Sequence, residues 1–65
     1  MLKYKGYTAY IRYCYESRTL WGKISNIDVL VTFESVDETI DSLIEEFHNA
    51  VNDFISDLIN TLYRR

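Results

Sequence analysis

A stripe of apolar residues recurs every three or four positions through the C-terminal half of this chain. This spacing places the apolar side chains on one side of a helix. Ser35 and Glu38 have the separation of a capping box, and Arg64 and Arg65 suit the negative end of a helix dipole. The sequence therefore predicts one long helix from about Val36 to Leu62. Its stability must come from burial of the stripe, which comprises Val36, Ile40, Leu43, Ile44, Phe47, Val51, Phe54, Ile55, Leu58 and Leu62.

Three segments before the helix have the composition of β-strands. Thr8–Tyr15, Leu20–Ile24 and Val29–Glu34 are rich in aromatic and β-branched residues, and short polar connections separate them. Short connections favour an antiparallel meander, whereas Met1–Gly6 is interpreted as a basic lead-in. The predicted fold class is therefore α+β: a three-stranded antiparallel meander covered on one face by a single long C-terminal helix, in the order β-β-β-α.

Alternation along these strands divides their side chains between the two faces of the predicted sheet. The sheet face that points away from the helix has no second layer to cover it. This face combines Tyr10, Trp21 and Leu30 with Arg12 and Lys23. Exposed aromatic residues beside cations are typical of interfaces, so we predict that these five residues contact a partner or a second copy of the chain. The face expected to meet the helix comprises Ala9, Ile11, Tyr13, Leu20, Ile24, Val29, Val31 and Phe33.

Length and charge limit the functions that are open to the chain. Its 65 residues allow one domain, residues 1–65, and the formal net charge is −3. The acidic residues are concentrated in the predicted helix, and no Lys or Arg occurs between Val36 and Tyr63. An acidic balance disfavours non-specific nucleic-acid binding and suits a basic partner. We predict that Glu38, Glu45 and Asp53 form an acidic partner surface.

The length of the predicted helix also indicates self-association. A helix of this length spans roughly 40 Å, whereas an eight-residue strand spans roughly 26 Å. Leu58, Ile59 and Leu62 are therefore expected to extend beyond the sheet. A core of this size also supplies little stability on its own, so we predict a homodimer or a higher homo-oligomer.

The residues that usually carry chemistry are scarce. His48 is the only histidine and Cys14 the only cysteine, so the sequence has neither an internal disulfide nor a zinc pattern. Gly6 and Gly22 are too few for a phosphate-binding loop. We expect His48 at the margin between helix and sheet, Cys14 on the sheet face away from the helix, and no enzyme activity, metal or cofactor. A free thiol without a membrane span or signal peptide suggests the cytoplasm.

Four segments follow one another in a fixed order: Tyr4–Thr8, Gly22–Ile24, Leu30–Glu34 and Phe47–Phe54. Together they resemble the N-terminal, toxin-binding domain of HicB-type antitoxins, within a similarity that runs from about Lys3 to Leu58. The resemblance implies a HicA-type toxin as partner, a small basic ribonuclease that cleaves messenger RNA, which the antitoxin binds and occludes. Many such antitoxins also bind their operator through a C-terminal segment. Because the sequence ends at Arg65, directly after the helix, we expect no DNA-binding segment and no operator binding.

Two alternatives remain open at the level of the sequence. The chain could be a structural homo-oligomer, or a remnant of a toxin–antitoxin pair without an active partner. Tyr10 and Trp21 beside Arg12 and Lys23 also have the character of a surface that stacks single-stranded RNA bases. We rank this RNA-binding alternative below the protein interface because the chain is acidic.

Overall fold

A computed structural model describes residues 1–63 of the chain, and it contains four strands and one helix. Each strand pairs antiparallel with the next, so the sheet order is the chain order. The α+β fold with a long C-terminal helix is confirmed, with one strand more than predicted. The elements are β1 (Leu2–Tyr4), β2 (Tyr7–Cys14), β3 (Thr19–Ile24), β4 (Thr32–Glu34) and α1 (Ile40–Tyr63).

The additional strand, β1, forms a hairpin with β2. Lys5 and Gly6 connect the two strands with φ angles of 50° and 83°. Positive φ at both central residues is the pattern of a type I′ turn, whose twist matches that of the flanking strands. The interpretation of Met1–Gly6 as a lead-in is therefore wrong for Leu2–Tyr4, which pair with Ala9, Thr8 and Tyr7.

The core lies between α1 and one face of the sheet. Leu43, Phe47 and Val51 of the helix are fully buried, and they pack in one cluster with Ala9, Ile24 and Phe33 of the sheet. The rings of Phe33 and Phe47 have centroids 5.2 Å apart. Ile11, Leu20 and Val31, which were assigned to the same face, are partly buried against this cluster.

Two residues that were assigned to the core face lie outside the core. Tyr13 is 41% exposed and packs edge-to-face on Tyr15 at the far end of β2. Val29 is 54% exposed because β4 begins at Thr32, and Val29 therefore belongs to the preceding loop rather than to a strand. The predicted start of the third strand at Val29 is three residues too early, whereas the bounds of β2 and β3 differ from the prediction by one residue at most.

The helix begins at Ile40, four residues later than predicted. Thr39 caps it: the Thr39 Oγ1 accepts a hydrogen bond from the Ser42 amide at 3.2 Å. Glu38 has a φ of 63°, a left-handed conformation that no helix continues through, so the proposed capping box of Ser35 and Glu38 is wrong. Ser35 instead extends the pairing of β4, since its amide donates to the Leu20 carbonyl at 2.9 Å.

The C-terminal part of the helix extends beyond the sheet. The molecule measures 44 × 19 × 19 Å, and Phe54, whose ring meets Tyr7 edge-to-face, lies near the end of the helix–sheet contact. Leu58, Ile59 and Leu62 are 46%, 46% and 72% exposed, as expected for residues past the sheet. In residues 1–63 no helix is both long and apolar enough to cross a membrane. The predicted effect of Arg64 and Arg65 on the helix dipole lies outside the described residues.

Candidate functional site

The face of the sheet that α1 leaves uncovered carries an alternating set of aromatic and basic residues. We call Tyr10, Arg12, Trp21 and Lys23 the outer sheet face. In the register of β2 and β3, Tyr10 is directly opposite Lys23, and Arg12 is directly opposite Trp21. Directly opposite side chains on one face have Cβ atoms about 5 Å apart. The register therefore makes each aromatic ring the cross-strand neighbour of a cation.

These four side chains line one shallow depression of about 250 Å³, together with Ser25. Tyr10 is 53% exposed, Arg12 and Lys23 are exposed, and Trp21 is half-buried. Ser25 continues the alternation of Trp21 and Lys23, which is the signal that could have added it to the predicted set. A depression of this composition can stack planar groups on its rings and pair carboxylates or phosphates with its cations.

Leu30 does not join the outer sheet face. The structure places it in the loop between β3 and β4, where it is 73% exposed and does not line the depression. Its predicted position on the third strand is wrong because that strand begins only at Thr32. Asn26 of the same loop binds the β1–β2 hairpin instead: its side chain accepts from the Thr8 amide and donates to the Gly6 carbonyl, both at 3.0 Å.

The predicted acidic residues Glu38, Glu45 and Asp53 are all exposed but do not form one cluster. Glu38 lies in the turn before the helix. Glu45 and Asp53 are eight residues apart on α1, which is about 12 Å along the axis and about 80° around it. Of these three predicted residues, only Asp53 faces the edge of the sheet. Together with Asp57 it lines a depression of about 220 Å³ there.

A second depression lies on the other side of the same sheet edge. It has a volume of about 410 Å³ and is lined by Trp21, Thr32, Phe33 and Glu34. Thr32 borders both depressions, so the exposed edge of β4 runs between them. The sequence did not predict the surroundings of this edge. The predicted meander shows which strand ends the sheet, but it does not show which residues lie beside that strand.

Two ionisable groups of the described residues have shifted pKa values, and local hydrogen bonds hold both. The Thr39 hydroxyl donates to Asp37 Oδ1 at 2.7 Å and the Thr39 amide to the same oxygen at 3.2 Å, which lowers the pKa of Asp37. The hydrogen bond with the Ser17 side chain, and to a lesser extent that with the Ser17 backbone, lowers the pKa of Cys14. Both effects stabilise the anionic form of the side chain.

His48 lies at the margin between helix and sheet, as expected. Its ring stacks on Tyr4 of β1, with centroids 3.9 Å apart and planes inclined by 19°. Close by, Lys5 Nζ donates to Asn52 Oδ1 at 2.9 Å and joins the hairpin turn to the helix. Within the part of the chain that the structure describes, no group of three or more His, Cys, Asp or Glu residues is arranged to hold a metal ion.

Comparison of the chain with protein families, with curated proteins and with solved structures finds no match in any of the three.

Proposed function

We propose that this chain is a cytoplasmic, antitoxin-like protein-binding module of the HicB type. In this proposal it neutralises a small basic ribonuclease, comparable to a HicA-type toxin, by binding and occluding it. The proposal has two supports: the order of the similar segments, and the unbalanced acidity of α1. The acidity of α1 is the main support, because it concerns the surface that a basic partner would meet.

The helix concentrates negative charge on one side of the molecule. Between Ile40 and Tyr63 it has five acids and no Lys or Arg, so no opposite charge on the helix itself compensates them. Asp41, Glu45, Asp53 and Asp57 are exposed. Surface carboxylates of this density speed the encounter with a basic protein and select against acidic ones.

The outer sheet face supplies the second part of the proposed interface. Tyr and Trp anchor many protein interfaces because they bury a large area with few rotatable bonds, and Arg is enriched beside them. Trp21 and Arg12 are direct cross-strand neighbours, and Trp21 also pairs in register with Glu34 of β4. We assign the anchoring contact to this face, with the acidic helix as its electrostatic complement.

Co-expression tests the proposal in cells. The probe is the product of the neighbouring gene, if that gene encodes a small basic protein with a single histidine. We expect this product to arrest growth alone and to be harmless when the chain is present. Growth arrest that persists at equal expression of both proteins would contradict the proposal.

Single-stranded RNA binding is the second candidate, and the depression on the outer sheet face favours it. Aromatic rings and cations in one depression can hold a base and its phosphate. RNA binding predicts that oligonucleotides quench Trp21 fluorescence and that salt reverses the quenching. Absence of quenching at low salt would eliminate this candidate.

A structural homo-oligomer is the third candidate, and it has its own surface. Leu58, Ile59 and Leu62 lie exposed on α1 beyond the sheet. If they pair with the same residues of a second copy, the chain is a dimer in sedimentation, and Leu62→Glu makes it a monomer. This candidate stands as the complete function only if the dimer forms and the ribonuclease is left active.

A further inference from the structure

The edge of β4 has backbone groups that no strand of the sheet uses. β4 is the last strand in the order, so within residues 1–63 one of its edges has no neighbouring strand. Ile24 N donates to Val31 O at 3.0 Å, and Ser35 N donates to Leu20 O at 2.9 Å. In an antiparallel ladder alternate residues direct their N–H and C=O groups to the same side. The amides and carbonyls of Thr32 and Glu34 therefore point away from β3.

The surroundings of this edge are acidic on both sides. On the helix side, Asp53 and Asp57 line the depression that contains Val31 and Thr32. The spacing of Glu46, Asp53 and Asp57 places all three on the same flank of α1. On the other side, the exposed Glu34 lines the depression that contains Trp21 and Thr32.

Between the carboxylates, the edge also offers apolar contact. Ala50 and Phe54 of α1 are partly buried and line the helix-side depression with Val31. A strand added at the usual spacing of about 4.8 Å from β4 would direct alternate side chains into the two depressions. Such a strand would meet an apolar floor with carboxylates around it.

We propose that β4 binds an extended, basic segment of the partner protein, which adds to the sheet as a fifth strand. Backbone hydrogen bonds to Thr32 and Glu34 supply part of the affinity, and Lys or Arg side chains pair with Asp53, Asp57 and Glu34. Side chains of the added strand would enter the depression that Trp21 lines on one side and the depression beside the helix on the other, so one segment meets both surfaces of the proposed interface. The inference rests on the proposed function in that it takes a basic protein as the partner.

The probe for this inference is a capped peptide of about eight residues in which Lys and Val alternate. The chain is labelled with nitrogen-15, and its amide signals are followed during titration. We expect the amides of Thr32 and Glu34 to shift and their hydrogen exchange to slow by about tenfold or more. Phe33, whose backbone already pairs with Gly22, should change little. The matching peptide of Glu and Val should bind at least about tenfold more weakly.

A pair of charge variants separates the proposed groove from general acidity. Asp53→Asn with Asp57→Asn removes two charges beside β4, and we expect about fivefold weaker binding of the Lys-Val peptide. Glu16→Lys changes the net charge by the same two units at an exposed turn residue outside α1 and the outer sheet face, and it should leave binding within about twofold. Equal losses in the double variant and in Glu16→Lys would show attraction by net charge only and would overturn the inference.

The outcomes also separate this inference from the proposed function. If the basic ribonuclease binds the chain and the Thr32 and Glu34 amides stay unchanged, strand addition is wrong and the proposed function stands. If the peptide protects both amides and the ribonuclease does not bind, the β4 edge is a binding site and the proposed function is wrong. A peptide that shifts only the signals of Tyr10 and Trp21 would also overturn strand addition.

Discussion

The ring of Phe33 lies directly over the α-carbon of Gly22, its partner in the register of β3 and β4. A Cβ atom at position 22 would approach Phe33 Cε2 to 2.7 Å and the Tyr10 carbonyl oxygen to 3.0 Å. Phe33 has little room to move, because it is 7% exposed and packs on Phe47. The glycine therefore allows an aromatic residue to cover the strand at the centre of the core.

This relationship predicts that Gly22→Ala destabilises the fold. We expect a loss of about 1–3 kcal/mol, since the added methyl group overpacks the site and displaces the Phe33 ring. Urea unfolding measures the loss. In a Phe33→Leu background the same Gly22→Ala change should cost clearly less, because the ring that clashes is gone. An equal cost in both backgrounds would contradict the steric explanation.

The cap of the helix predicts opposite outcomes for two hydroxyl residues. Thr39→Ala should reduce the free energy of unfolding by about 1 kcal/mol, because Thr39 Oγ1 accepts from the Ser42 amide. Ser35→Ala should change it by about 0.5 kcal/mol or less, or stabilise the fold, since Ser35 Oγ is buried without a hydrogen-bond partner in the described structure. Denaturant unfolding of both variants checks the pair. A larger loss for Ser35→Ala would restore Ser35 as the capping residue.

The hydrogen bonds to Asp37 predict a pH dependence of stability. Its pKa in the fold is lowered from the ordinary value of 3.8, chiefly by the Thr39 side chain. The carboxylate therefore contributes stability above the ordinary pKa, and this contribution is lost as pH falls through the lowered value. Asp37→Asn should destabilise the chain at pH 7 and have a smaller effect at about pH 3, below the ordinary pKa. Unfolding curves of both proteins at the two pH values measure it, and a difference that grows on acidification would contradict the sign.

The outer sheet face predicts a hot spot for the proposed partner. Trp21→Ala should weaken binding of the basic ribonuclease by about 2 kcal/mol, roughly 30-fold in Kd. Tyr15→Ala is the matched control, since Tyr15 is 84% exposed and lies outside this face. Calorimetric titration gives both affinities, and circular dichroism confirms that each variant is folded. Equal affinities for the two variants would remove Trp21 from the interface.

The periodicity of the sequence was sufficient for the helix and for two of the strands. The apolar stripe predicted α1 because burial of Leu43, Phe47 and Val51 determines where a helix packs. The start was misplaced because Ser35 and Thr39 both have capping chemistry, and the sequence does not reveal that Glu38 adopts a left-handed φ. Hairpin β1–β2 was missed because its turn uses Lys5 before Gly6 rather than the usual Asn or Asp.

The alternation of side chains along the strands was sufficient to predict one part of the candidate site. Alternation placed Tyr10, Arg12, Trp21 and Lys23 on one face, and the register then brought them into one depression. Leu30 was misplaced because apolar residues from 29 to 31 resemble a strand but belong to a loop. The acidic groove beside β4 was not predictable, because it depends on which flank of α1 faces the edge of the sheet.

The neutralising role can be measured in vitro as the ribonuclease activity of the neighbouring gene's small basic product on a messenger RNA, titrated with this chain. The proposed function predicts that cleavage ceases at an equimolar ratio and returns at high salt, when the acidic helix no longer attracts its partner. Full cleavage in the presence of excess chain would contradict the claim.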